Sequence, residues 1–174
     1  MSNSNTQMMS ISEALGHIFK ADSTWKVEGK FLGQSSLLHR LSGRIKVVKN
    51  DENWMIREKY DILTPKKNIP IHFLMQFNML TVNDSPEWTS SFPGVGQVMG
   101  KYSGSSESLL NEFEGGGYSG LEIIKPINED QFSRCGTLME NDVSIAYWAC
   151  LMSRETASVD RIETLFEGSD ELFG

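Results

Sequence analysis

The sequence predicts an all-β protein: one antiparallel barrel of eight to ten strands, with a short helix before it and another after it. Three observations carry that expectation. Strand-like segments follow one another from Gly94 to Glu155, at 95–103, 107–114, 118–126, 131–140 and 143–153. Turn residues fill each gap, which is the signature of a meander. Apolar and polar side chains alternate within the segments, as a pleated strand requires. A meander of this length must close or stack to bury its apolar face.

The last hairpin sets the pattern. A two-residue Asn141-Asp142 loop pairs Glu140 with Val143. Counting outward in uniform register puts Phe132, Arg134, Leu138, Ile145, Tyr147 and Leu151 on one face, the expected interior. Cys135, Trp148, Cys150 and Met152 fall on the other, an apolar outer patch.

Upstream, the chain divides in the same way. Residues 1–9 are small and polar and are expected to be disordered. Ser10-Ile11-Ser12-Glu13 is a capping box, and Ile11, Leu15, Ile18 and Phe19 give the helix at 10–20 one apolar face. That helix is expected to plug or lid one mouth of the barrel. Trp25–Gly33 is a strand with Trp25, Val27, Gly29 and Phe31 on one side. Residues 40–49 and 53–63 form a hairpin over Asn50-Asp51, pairing Val47 with Trp54, Ile45 with Ile56, Gly43 with Glu58 and Leu41 with Tyr60. Residues 70–82 are strand-like, with Phe73, Met75 and Phe77 alternating against polar neighbours. Residues 83–93 are expected to be a long loop carrying Trp88 and Phe92. After the meander, Ser158 caps a helix at 158–167, with Val159, Ile162, Leu165 and Phe166 at helical spacing. Residues 168–174 are expected to fray. The single domain spans 10–167.

Composition narrows the function. The chain has 174 residues, 16 basic and 23 acidic, for a net charge of −7. That balance disfavours nucleic-acid backbones and anionic membrane surfaces. No apolar run is long enough to span a bilayer, and the N-terminal residues lack a secretory pattern, so a cytoplasmic location is expected. Cys135 and Cys150 are diagonal in the hairpin register and are expected to be free thiols. His17, His39 and His72 show no metal-ligand spacing. No metal or cofactor is expected. Gly94-x-Gly96 and Gly115-Gly116-Gly117 lack the context of a phosphate loop. No nucleophile elbow is present.

Strands of this number and length between two helices resemble calycin-type barrels, the group of lipocalins and fatty-acid-binding proteins. Trp25-x-x-x-Gly29 is similar to the first-strand signature of such barrels. Tyr118-Ser-Gly-x-Glu122, Asp130-x-Phe132, Gly136-x-Leu138 and Trp148 look like small bacterial lipocalin-like domains. The full lipocalin Gly-x-Trp is absent. Arg134 and Tyr147 come from separate strands, unlike the Arg-x-Tyr of fatty-acid-binding barrels. The resemblance implies an internal cavity for an apolar small molecule.

The expected chemical centre is Glu58, Arg134 and Tyr147, all projected inward. Arg134 offers a donor fork for a carboxylate or enolate oxygen, Tyr147 a second donor, and Glu58 a general acid or base. The alternative is a buried Glu58–Arg134 pair that only satisfies the interior. Trp54, Tyr60, Phe73, Met75, Phe77 and Phe132 are expected to line the cavity. Gln97, Asn111 and Glu122 are further candidates, with facings that depend on loop lengths. In particular, a three-residue Gly115–Gly117 turn would flip Glu122 relative to Asn111. Two functions fit: a module that binds a polyene, polyketide-like or fatty-acid-like molecule, and a cofactor-independent cyclase or isomerase similar to allene oxide cyclase. A structural barrel filled by its own side chains is the third. A homodimer is compatible with each.

Overall fold

The computed structural model describes residues 22–49, 53–78, 86–92, 95–105 and 107–155. The side chains of Phe73, Met75 and Phe77 are outside the described set, as are both expected helices and the two terminal tails. Every described element is a strand: β1 Thr24–Leu32, β2 Leu38–Lys49, β3 Asn53–Leu63, β4 Asn68–Asn78, β5 Glu87–Phe92, β6 Gly96–Ser105, β7 Ser108–Gly115, β8 Tyr118–Asn128, β9 Gln131–Glu140 and β10 Val143–Arg154. Each pairs antiparallel with its sequence neighbour, and β1 also pairs with β10, so the ring closes. The closed antiparallel barrel expected from the sequence is present.

The alternation of the sequence becomes an inside and an outside. Trp25 and Val27 on β1, Ile45 and Val47 on β2, Ile56 on β3, Leu109 on β7, Ile124 on β8 and Met152 on β10 are all buried to 1% exposure or less. They seal the end where β1 begins. Trp25 meets Phe132 edge-on at 5.4 Å, and the Arg154 guanidinium covers the Trp25 ring at 5.0 Å. Toward the end carrying the β1–β2, β7–β8 and β9–β10 turns, the inward residues are only partly buried: Phe31, Ile71, Phe92, Phe113 and Trp148. The interior is therefore closed at one end and reached by solvent at the other.

Four expectations need correction. Trp88 lies on strand β5, not in a loop. Its ring is buried, and a strand of six residues between two prolines was masked by the polar Asn83–Pro93 composition. The β2–β3 register is displaced by two, so Val47 pairs Ile56, Ile45 pairs Glu58, Gly43 pairs Tyr60 and Leu41 pairs Ile62. A shift of two keeps every residue on its face, so Glu58 still points inward. Gln97 is exposed on the outer wall of β6, because the inward residues of that strand are Val98, Gly100 and Tyr102.

The fourth correction matters most. Asn141 and Asp142 form the expected two-residue turn, with φ of 48° and 65°, and Glu140 pairs Val143 as expected. Ile145 then forms a β-bulge, and from Ala146 onward the register slips by one. A one-residue slip flips all later side chains. Ala146, Trp148, Cys150 and Met152 point inward. Tyr147 is 47% exposed and Leu151 38%. The apolar outer patch expected from Trp148, Cys150 and Met152 does not exist. Cys135 and Cys150 are both free, as expected, but they sit on opposite faces.

Candidate functional site

A belt of polar side chains crosses the middle of the barrel, and strand pairing puts it there. Glu58 and Tyr60 are successive inward residues of β3. The tight Gly116-Gly117 turn, with φ of 61° and 85°, is a two-residue loop that only such permissive residues favour. It pairs Asn111 with Glu122 on the inward face. Arg134 lies one strand further on, opposite Ile124 on β8 and Cys150 on β10.

Arg134 is the hub. Its Nε donates to Glu122 Oε1 at 3.0 Å and its Nη2 to Glu122 Oε2 at 2.9 Å, a bidentate fork. Its Nη1 donates to Glu58 Oε1 and to the Tyr60 hydroxyl, both at 3.0 Å. The Tyr60 hydroxyl donates to Glu58 Oε2 at 2.6 Å. On the far side, Trp148 Nε1 donates to Glu122 Oε1 at 2.9 Å, Asn111 Nδ2 to Glu122 Oε2 at 3.5 Å, and Trp88 Nε1 to Asn111 Oδ1 at 2.8 Å. Arg134, Glu58 and Glu122 are all at 5% exposure or less. Charges this deep persist only when paired and hydrogen-bonded. Burial works against the Arg134 cation, yet Glu122 and then Glu58 outweigh it and hold the guanidinium's pKa well above the usual range.

The rings above the belt lie against glycine. Trp88 pairs with Gly100, Phe113 with Gly120 and Trp148 with Gly136. A Cβ on any of these glycines would run into the facing ring. These aromatic side chains thus pack flat against the strand wall.

Of the sequence-derived centre, the structure joins Glu58 and Arg134 and leaves Tyr147 outside; Tyr60 supplies the phenol instead. Asn111 and Glu122 belong to the belt. Trp54 and Phe132 are buried at the sealed end, and Gln97 is remote. Phe73, Met75 and Phe77 pair by backbone with Glu58, Ile56 and Trp54. Sequence reasoning missed Trp88 and Trp148. An indole on a strand whose register depends on a bulge carries no signal for its facing. The buried Ser90 Oγ and Trp54 Nε1 have no hydrogen-bond partner among the described residues. Among those residues no cluster of three His, Cys, Asp or Glu could hold a metal, and no helix is long and apolar enough to cross a membrane.

Alkaline pH is expected to loosen this belt. Burial pushes the Tyr60 hydroxyl well above 10.0, with Arg134 opposing and Glu58 reinforcing. Burial, then the Glu122 carboxylate, does the same to Tyr102. Burial pushes the Cys150 thiol up from 9.0 to about 12. All three values are raised, so the folded chain keeps protons that the unfolded chain releases. Their contribution is whole below pH 9.0, falls as pH rises toward about 12 for Cys150, and falls above 10.0 for the tyrosines. The urea midpoint should drop across that range, and Cys150→Ala should flatten its first part. A midpoint independent of pH above 9.0 would contradict the assigned burial.

No protein-family model matches the chain, and no curated protein matches it. Among solved structures, the S-type phycobiliprotein lyase CpeS from Guillardia theta aligns with a TM-score of 0.60 at 11% identity, covering 86% of this chain and 94% of that one. A protein described as a putative AttH from Nitrosomonas europaea aligns at 8% identity with a TM-score of only 0.31, covering 80% of this chain and 52% of that one. The first likeness is one of fold.

Proposed function

We propose that this protein binds an apolar small molecule in the half of the barrel that opens at the β1–β2 turn. The observation that carries the reading is the burial gradient: inward residues are sealed at one end, while Phe31, Phe113 and Trp148 remain partly open at the other. A purely structural core has no reason to leave inward aromatics wet. The polar belt forms the floor of this space, and rings pressed flat over glycines form its walls. Such a cup, mostly apolar with a few fixed polar groups, is the usual form of a small-molecule site. The orphaned Ser90 hydroxyl supplies one further inward hydrogen-bonding group.

Fatty acids, polyenes and polyketide-like rings all remain within this class. The fold-neighbour is named a phycobiliprotein lyase, which adds an open-chain tetrapyrrole to the probes. Cyclase or isomerase chemistry would draw on the same space. However, Glu58 and Arg134 are engaged with each other and with Tyr60, so binding is the reading the geometry supports best.

The test is a titration of the four probe classes, followed by tryptophan fluorescence and thermal shift. At least one class should bind, and Trp148→Ala should weaken it by about 10-fold or more, the effect of losing an aromatic contact at a ligand face. Absence of binding by every class would remove the proposal.

A further inference from the structure

The floor of the cup holds more negative than positive charge. Glu58 and Glu122 share the single guanidinium of Arg134, and all three are at 5% exposure or less. The Nε, Nη1 and Nη2 groups of Arg134 all donate within the belt. Its fork therefore presents no free edge to a further carboxylate. An added anion would also stand beside two others in a medium that screens charge poorly. The floor thus rejects an anionic head group, although it holds the buried arginine that such a group would seek.

The lip of the cup offers the opposite. His39 alternates with the buried Leu41 on the inward face of β2, is half-buried, and pairs with the inward Phe31 of β1. Arg40 pairs with Leu63, so His39 stands next to the start of the β3–β4 turn. That turn carries Lys66 and Lys67, both exposed. Thr64 fixes its shape. The Thr64 hydroxyl donates to the Lys67 carbonyl at 2.6 Å, the Lys67 amide donates back to Thr64 Oγ1 at 3.1 Å, and the Thr64 amide donates to the same carbonyl at 3.2 Å. Among the described residues, none of His39, Lys66 and Lys67 belongs to an ion pair. Across the mouth the side chains are acidic: Glu140, which accepts the Tyr118 hydroxyl, Asp142 in the β9–β10 turn, and Glu114 near the end of β7. Positive charge at the mouth is confined to the β2–β4 side.

From floor and lip together we infer that the ligand is an amphipathic anion that enters tail-first. Its apolar end lies in the cup, and its acidic group stays at the mouth beside His39, Lys66 and Lys67. This rests on the proposed cup and adds the charge of the ligand and the direction in which it lies. The belt, satisfied within itself, asks nothing of an apolar tail, whereas the lip supplies the cations that an acid needs.

Four probes with one tail test it: dodecanoate, 1-dodecanol, dodecylammonium and N-dodecanoyltaurine, each titrated below its micelle-forming concentration by tryptophan fluorescence. Dodecanoate should bind about 10-fold more tightly than dodecanol, the combined effect of exposed charge pairs at the lip. Dodecylammonium should bind no better than the alcohol. N-dodecanoyltaurine, whose bulkier anionic head fits only outside the cup, should match dodecanoate within about 3-fold. In Lys66→Glu, Lys67→Glu the ranking of acid and ammonium should reverse, with the alcohol as the common reference. Equal binding of acid and alcohol, tighter binding of the ammonium by the native protein, loss of the taurine conjugate, or an unchanged ranking in the variant would each overturn the inference while leaving the cup in place. If another probe class binds and these four do not, the inference likewise falls alone. Binding by no class removes the cup and the inference together.

Discussion

Arg134→Leu is expected to lower folding stability by about 3–5 kcal/mol, the range for removing one partner from a buried ionic network. The size follows from the arrangement. Arg134 serves two carboxylates at once, Glu122 through two parallel hydrogen bonds and Glu58 through one. A leucine leaves both acids buried beside Tyr60 with no cation. Their desolvation, not the lost attraction, sets the cost. Equilibrium urea unfolding measures it, and in a chain of this size the melting temperature should fall by roughly 10 °C or more. A loss below about 1 kcal/mol would mean that the belt is solvated, contrary to its burial. The companion variant Arg134→Leu, Glu58→Gln, Glu122→Gln should recover much of the loss, because uncharged groups of similar shape tolerate this interior. Tyr60→Phe alone should cost about 1.5–3 kcal/mol, the worth of a hydrogen bond to a charged group.

Gly136→Val should be nearly as damaging, at roughly 3–5 kcal/mol, from overpacking together with a lost hydrogen bond. Gly136 faces Trp148 across the β9–β10 pair. A Cβ there would meet the indole ring and stand 2.7 Å from the Leu121 carbonyl oxygen. The carbonyl belongs to β8 and cannot yield without disturbing the ladder, so the indole must move. Once displaced, Trp148 Nε1 no longer reaches Glu122. Urea unfolding with tryptophan fluorescence checks both parts. Trp148→Phe should show only the hydrogen-bond part, and Gly136→Val with Trp148→Leu should recover the overpacking part. Equal stability of Gly136→Val and the native protein would contradict the ring-over-glycine packing.

What the sequence determined by itself was the periodic part. Alternation fixed the inward faces of β1, β2, β3 and β9, because the side-chain period of a strand is two and survives any even error in register. Glu58 and Arg134 were legible for that reason, even though the β2–β3 pairing was displaced by two residues. Asn141-Asp142 also declared its hairpin, since few residue pairs accept two successive positive φ values. Tertiary structure alone decided whatever depended on an odd count. The bulge at Ile145 turned Tyr147 outward and Trp148 inward. The two-residue Gly116-Gly117 turn put Glu122 on the Arg134 fork. Neither choice is favoured locally: an inward Tyr147 or a three-residue glycine turn suits the same residues. They were settled by the belt itself, where a buried guanidinium selects the register that brings it two carboxylates and an indole N–H brings the second carboxylate a further donor.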